Sequence, residues 1–196
     1  MVMIALTVML TIYGAADADA SDSPSNMRKA TFAGGCFWCM QSPFDKTEGV
    51  LKTIVGYTGG KKYKPTYEEV SSGITGHTES IEVIYNPDVV SYEKLLDIFW
   101  HNIDPLDGRG QFCDKGEQYR SAIFYQNDEQ KIAALESKKQ IEEKLGPVAT
   151  SITAATEFFP AEDYHQDYYK KNPIRYKYYR FGCGRDKRLE KIWSKN

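Results

Sequence analysis

The stretch Gly34-Gly35-Cys36-Phe37-Trp38-Cys39 constrains this chain more than any other. Paired glycines let the backbone turn tightly, and Cys36 to Ser42 can begin a helix, which would set Cys36 at a helix N-terminus. The unpaired N–H groups and positive macrodipole end found there favour a thiolate, so a free cysteine pKa of ~8.5 is expected to fall toward roughly 7. Phe37 and Trp38 place large apolar surfaces beside the thiol. The pattern reads as a nucleophile with an aromatic wall for an uncharged substrate. Cys-x-x-Cys also suits half a zinc site, a thioredoxin-like redox pair, or two buried small hydrophobes.

What precedes this stretch reads as an export signal. Met1 to Ala15 is almost wholly apolar yet too short to span a membrane, and Ala18-Asp19-Ala20 offers small residues at the spacing of a cleavage site. Residues 1–20 are therefore expected to be a signal peptide, although no Lys or Arg precedes the apolar run. Residues 21–27 are a polar linker, and 28–196 form a single catalytic domain with a tail from about residue 154. The expected location is extracytoplasmic, such as the periplasm, or cytoplasmic if the segment does not function as a signal. Its removal takes two of the 27 acids and none of the 25 bases, leaving a neutral mature chain with no field to steer it to nucleic acid or membrane. Four cysteines are too few for a disulfide scaffold.

The periodicity predicts a strand over 28–33, a helix from Cys36 that ends or bends by Ser42 because Pro43 lacks a donor, and a strand over 50–58 closed by Gly59-Gly60. A loop follows to His77. In the strand from Glu79 to Tyr85, alternation puts Ile81, Val83 and Tyr85 on one face, and Glu79 falls in register with them, making it a candidate buried acid. Ser91 caps a helix to about Trp100, a loop carries Cys113-Asp114, and a strand runs from Tyr119 to Tyr125. Asn127 with Gln130 caps a helix to Leu145, and 148–153 is the last strand. The expected fold is α+β, a two-layer sandwich with a mixed sheet, wrapped by an irregular C-terminal tail.

Several motifs then occur in a fixed order: Gly35-Cys36-Phe37-Trp38, Gly56-Tyr57-Thr58-Gly59-Gly60, Pro65-Thr66-Tyr67, Thr75-Gly76-His77-Thr78-Glu79, Gln118-Tyr119-Arg120-Ser121, and Tyr164-His165-Gln166 with Lys171-Asn172-Pro173. Together they resemble the A-type peptide methionine sulfoxide reductases across nearly all of residues 29–184. The resemblance implies that Cys36 attacks the sulfoxide sulfur, that Glu79 is the acid, and that Tyr67 and Tyr119 hydrogen-bond the sulfoxide oxygen. It implies that Phe37 and Trp38 receive the S-methyl group, with Asp114, His165 and Tyr168 at outer-pocket positions, and that the S epimer is the substrate. Burial would keep Glu79 protonated, as an acid role needs.

The sulfenic acid left on Cys36 calls for a second thiol and an outside dithiol. Cys39 is three residues on, where Cβ atoms in a helix lie ~5–6 Å apart against the ~3.5–4.5 Å a disulfide wants. Cys183, flanked by Gly182 and Gly184, can swing inward and resembles the family's C-terminal resolving cysteines, so it is favoured as first resolver, with Cys39 as relay or alternative. Cys113 is expected to be an incidental loop thiol without a role. No cofactor or metal is expected; the partners are a thioredoxin-like reductant and oxidised methionine-containing proteins, the chain being a monomer.

Three other readings compete. A four-cysteine zinc module lacks a second Cys-x-x-Cys. Nucleic-acid binding by the Tyr/Lys/Arg-rich run from Tyr168 to Arg188 is less expected than a tail with tyrosines in and bases out. A general disulfide oxidoreductase leaves Glu79 without work.

Overall fold

The computed structural model describes residues 26–194; the expected signal peptide and most of the linker lie outside them. The framework is a six-stranded sheet in the order β7-β6-β1-β3-β2-β8, formed by β1 (Arg28–Gly34), β2 (Val50–Thr58), β3 (Thr78–Tyr85), β6 (Ser121–Tyr125), β7 (Ser151–Ala154) and β8 (Phe159–Pro160). All neighbours pair antiparallel except β6 with β7, so the sheet is mixed. Its two central strands are β1 and β3, and β3 carries the site acid. There Glu79 lies opposite Tyr57 and Ile81 opposite Val55, which places these four side chains on one face.

That face is covered by α1 (Phe37–Asp45), α3 (Tyr92–His101) and α4 (Asp128–Leu145). Phe32, Ile81, Val83 and Tyr85 of the sheet meet Met40 and Phe44 of α1, Leu95, Leu96, Phe99 and Trp100 of α3, and Ala134 and Ile141 of α4 in one buried cluster. Phe32 stacks between Phe44 and Phe99 with ring centroids 5.3 and 5.2 Å away. Fully burying each such side chain is worth about 1.5–3 kcal/mol, so the cluster fixes α1 firmly on the sheet. At the end of the same layer Phe37 packs with Val55, Tyr57, Val70 and Ala161.

Several local expectations meet the structure closely. Ser91 accepts from the Lys94 N–H, and Asn127 from the Gln130 N–H, at the starts of α3 and α4. Others differ. Helix α1 runs through Pro43 to Asp45; the proline lies in its last turn, where one lost hydrogen bond is offset by burial of Phe44. The expected loop before His77 contains α2 (Tyr67–Ser71), and Thr66 and Glu69 form a complete capping box at its start, a signal already present in the sequence. The loop after Asp104 folds into a short hairpin of β4 (Gly110–Gln111) and β5 (Asp114–Lys115), followed by a 3-10 turn over Glu117–Tyr119. Tyr119 thus precedes its strand and does not belong to it.

The C-terminal tail passes from β7 through irregular chain and β8, then becomes helical: α5 (Tyr168–Lys171), α6 (Pro173–Gly182) and α7 (Arg185–Trp193). Pro173 opens α6 at a position where a missing N–H costs nothing. Tyr168 and Tyr176 are turned inward against Cys39.

Candidate active site

Strand β1 ends at Gly34, and the chain reverses into α1 through Gly35 at φ +79°. A Cβ on Gly35 would lie 2.5 Å from Cβ of Gln111, so both conformation and space require glycine. Cys36 is the N-cap of α1, with a non-helical backbone, and its carbonyl accepts from the Cys39 N–H at 3.0 Å. Because Cys36 lies outside the helical turn, helical spacing does not hold its sulfur away from Cys39, and each thiol shifts the titration of the other.

Glu79, at the start of β3, is 3 % exposed, and its Oε2 accepts from the Phe37 N–H at 3.1 Å. Burial pushes its carboxyl from 4.5 up to about 8, against the opposing pull of that N–H, with the charges of Asp114 and Cys39 adding to the rise. The acid is therefore neutral at neutral pH.

Cys36, Phe37, Trp38, Tyr67, Glu79, Asp114, Tyr119 and Tyr179 line one small cavity of about 100 Å³. Burial raises the Tyr67 hydroxyl to about 12 and pushes that of Tyr119 up as well, the charge of Glu79 being the next cause for both. Both phenols stay protonated and able to donate. Tyr67 is held from behind: its N–H donates to Glu162 Oε1 at 3.0 Å, and the Tyr57 hydroxyl donates to Oε2 of the same carboxylate at 2.8 Å. Residues from α1, α2, β3, β5, the 3-10 turn and α6 thus converge on a space sized for a few atoms.

His165 and Tyr168 do not line the cavity. They back its aromatic wall. Tyr168 stacks on Trp38 at 3.7 Å between centroids. His165, 2 % exposed, accepts from the Trp38 indole N–H on Nδ1 at 3.1 Å and packs on Tyr67 and Phe37. With Nδ1 accepting, the neutral ring carries its proton on Nε2, and desolvation lowers its pKa.

Two expectations about the cysteines are corrected. The Cys36 thiol is pushed up, not down, because complete desolvation penalises its anion and the charges of Cys39 and Glu79 add to this, outweighing the helix N-terminus. Cys39 takes the low value, about 6, through the hydrogen bond from Cys36 and the guanidinium groups of Arg185 and Arg180. The second correction concerns Cys113. It is not an incidental loop thiol but is disulfide-bonded to Cys183, while Cys36 and Cys39 are free. With two of the four sulfurs joined to each other, a four-thiolate zinc site is not formed. Among the described residues, the potential ligand group that the fold assembles is Cys113, Asp114 and Cys183, which contains that disulfide.

Sequence reading missed two residues. Tyr179 lines the cavity beside Cys36 and donates to Asp114 Oδ2. Arg185, 1 % exposed, donates to the carbonyls of Gly34 and Asn102 and lies over the Phe112 ring. The inward spacing of tyrosines in the tail was a signal for Tyr179. Nothing local marks Arg185, whose hydrogen-bond partners are at least 83 residues away.

A buried thiol, a neutral carboxylic acid and protonated phenols around a pocket with aromatic walls define a thiol-based reductase for a small polar group flanked by apolar atoms. The family model for peptide methionine sulfoxide reductase matches residues 28–196. The peptide methionine sulfoxide reductase MsrA of Bacillus licheniformis is 55% identical over 169 residues, covering 85% of this chain and 93% of its own; that of Bacillus subtilis is 52% identical over 168 residues, covering 84% and 95%. Among solved structures, reduced Mxr1 from Saccharomyces cerevisiae superposes with a TM-score of 0.73 at 33% identity, over 77% of this chain and 88% of that one. Methionine sulfoxide reductase A of Corynebacterium diphtheriae gives 0.70 at 33% identity, over 78% of each chain. The chain belongs to the peptide methionine sulfoxide reductase family. Its activity is the thiol-dependent reduction of methionine (S)-sulfoxide to methionine.

Proposed function

We propose that Cys36 is the nucleophile and Glu79 the proton donor of this reaction. The observation that carries the assignment is the neutral Glu79 carboxyl, held by the Phe37 N–H in the same small cavity as the Cys36 sulfur. The sulfoxide oxygen is a poor leaving group until protonated. Glu79 gives it a proton while the Cys36 sulfur attacks the sulfoxide sulfur, and the Cys36 proton passes to the carboxylate so formed; the hydroxyl then shifts from the methionine sulfur to the Cys36 sulfur as the bond between the two sulfurs breaks, releasing methionine. The oxygen ends on Cys36 as a sulfenic acid; cysteine sulfur is oxidised by two electrons and methionine sulfur reduced by two. A charged Glu79 would repel the developing thiolate, so its neutrality serves both steps.

Tyr67 and Tyr119 orient the oxygen by donating uncharged hydrogen bonds, Asp114 borders the pocket mouth, and Phe37 with Trp38 receives the S-methyl group. His165 and Tyr168 fix that wall. Cys39 and Cys183 serve as resolving thiols, and a thioredoxin-like dithiol protein returns the enzyme to its reduced state. Oxidised proteins are the substrates in the cell, and the chain acts as a monomer that binds neither nucleic acid nor membrane stably. Export by residues 1–20, with a linker at 21–27 and one catalytic domain over 28–196, completes the proposal. Support for it lies in the apolar leader and the small residues Ala18 and Ala20.

The test is reductant-free turnover. Pre-reduced full chain mixed with methionine sulfoxide should release at least one methionine per enzyme, and Cys36→Ser none. Equal release by both proteins would remove Cys36 from the nucleophile role.

A further inference from the structure

Two sulfurs and a carboxylate meet at the edge of the cavity. The β4–β5 hairpin turns through Phe112 and Cys113 between the paired residues Gln111 and Asp114, so Cys113 and Asp114 leave it side by side. Helix α6 brings up Cys183 as its C-cap. The sulfurs of Cys113 and Cys183 and an oxygen of Asp114 all lie within 4.8 Å of one another. Each sulfur faces its own carboxylate oxygen: Cys113 Sγ is 3.7 Å from Oδ1, and Cys183 Sγ is 3.9 Å from Oδ2. With Zn–S bonds of ~2.3 Å and Zn–O bonds of ~2.0–2.2 Å, a tetrahedral zinc ion holds a sulfur and an oxygen about 3.5 Å apart and two sulfurs about 3.8 Å apart. The sulfur–oxygen edges are thus close to those of a zinc site while the disulfide is still closed. Reduction frees the sulfurs to part and supplies the remaining edge. Cys183 has room for this, since a Cβ on either flanking residue, Gly182 or Gly184, would meet nothing within 4 Å.

The surroundings suit thiolates around a dication. The Cys113 N–H donates to Cys183 Sγ at 3.2 Å, a bond that a thiolate accepts more strongly than a neutral sulfur. The Tyr179 hydroxyl donates to Asp114 Oδ2 and fixes the carboxylate, as hydrogen-bonded partners of metal ligands do. Two thiolates and a carboxylate leave one negative charge beyond the two that zinc neutralises. Arg185, 4.4 Å from the centroid of the Phe112 ring in the same hairpin, is the nearby cation that answers it. Cys113 is exposed, so a water can complete the tetrahedron.

We propose that reduction of the Cys113–Cys183 disulfide creates a zinc site, with both sulfurs and one Asp114 oxygen as protein ligands and water as the fourth. The disulfide takes two electrons from an external dithiol, which itself becomes a disulfide; zinc then displaces one proton from each thiol, with no further change of oxidation state. Disulfide and zinc site exclude each other, because each needs both sulfurs. The metal is a brake and takes no part in the reaction. This consequence rests on the reading of Cys183 as a resolving thiol, which the bound metal withdraws.

Full-length Cys39→Ser, which lacks the competing cavity pair, would be reduced with a phosphine, desalted anaerobically and titrated with Zn2+ against the chromophoric chelator 4-(2-pyridylazo)resorcinol. One zinc per chain is expected, and none after diamide restores the Cys113–Cys183 disulfide. Adding Cys113→Ser should abolish binding, and adding Asp114→Asn should weaken it at least ~10-fold. Should a variant misfold, alkylation of reduced wild type decides: one equivalent of zinc should protect Cys113 and Cys183 and leave Cys36 and Cys39 reactive. Zinc held equally by the oxidised protein, undiminished binding by Asp114→Asn, or protection of Cys36 and Cys39 instead would overturn the site. Zinc-loaded Cys39→Ser given one equivalent of methionine sulfoxide should keep a dimedone-reactive sulfenic acid at Cys36, which removal of the metal with EDTA allows Cys183 to resolve. Resolution at the same rate with and without zinc would overturn the brake. No methionine from the metal-free protein would instead sink the reading of Cys36, and the zinc count would still decide the site.

Discussion

Glu79→Gln should make the folded protein more stable and the enzyme nearly inactive. Wild-type Glu79 titrates at about 8 in the fold and near 4.5 as an ordinary carboxyl. Between those values the unfolded chain gives up the proton and the native state keeps it. The native state then binds more protons, so stability falls as pH rises from 4.5 and levels off above about 8. At pH 7 this costs the wild type about 3 kcal/mol, at ~1.4 kcal/mol per pH unit, rising to roughly 5 kcal/mol on the plateau. Glutamine has the same shape, can still accept the Phe37 N–H through its amide oxygen, and has no proton to lose. Urea denaturation of both proteins, with the Cys113–Cys183 disulfide intact in each, should give nearly equal stabilities near pH 4.5 and a widening advantage for Glu79→Gln up to pH 8. Turnover by the same variant should drop ~10²–10⁴-fold, since the amide cannot protonate the leaving oxygen. A stability difference that does not change with pH would refute the buried neutral acid, whatever the effect on activity.

The wild-type rate of methionine release should itself decline as pH rises through about 8, as Glu79 ionises in the free enzyme; a rate flat to pH 9.5 would count against proton donation by this group. Tyr67→Phe and Tyr119→Phe each leave the ring packing in place and remove one donor to the sulfoxide oxygen, so each should reduce kcat/KM by ~10-fold or more, with folding retained by circular dichroism. Arg185→Met keeps the length of the buried side chain but removes the charge that helps hold Cys39 low. Alkylation of Cys39 as a function of pH should show its titration moving upward from about 6, and an unmoved profile would assign Arg185 a purely structural role.

Strand β2 was legible to the residue because Val50 to Thr58 ends on paired glycines, and α3 and α4 because Ser91 and Asn127 cap them within a few residues. Helix α2 was equally legible through Thr66 and Glu69, but a loop rich in Lys and Gly obscured the capping box. Glu79 was found because strand alternation is a local property that carries its neighbours' burial with it. The helical tail beyond residue 168 was harder to see. Its tyrosines and lysines show only a weak helical stripe, and packing of Tyr168 and Tyr176 on Cys39 is what fixes it.

What the sequence determined by itself is therefore what short-range geometry controls: the Gly35 turn that makes Cys36 an N-cap, the inward register of Glu79, and the ordered motifs that resemble one family. What the tertiary structure alone decided is what depends on groups far apart in the chain. Cys113 meets Cys183 across 70 residues. Tyr179 and Asp114 close the cavity from the tail and the hairpin, and Arg185 reaches back to Gly34. The same holds for charge: a helix N-terminus predicts a lowered Cys36, yet how much water the finished fold removes raises it and leaves the low value to Cys39. Desolvation is a property of the whole surrounding shell, and no spacing along the chain encodes it.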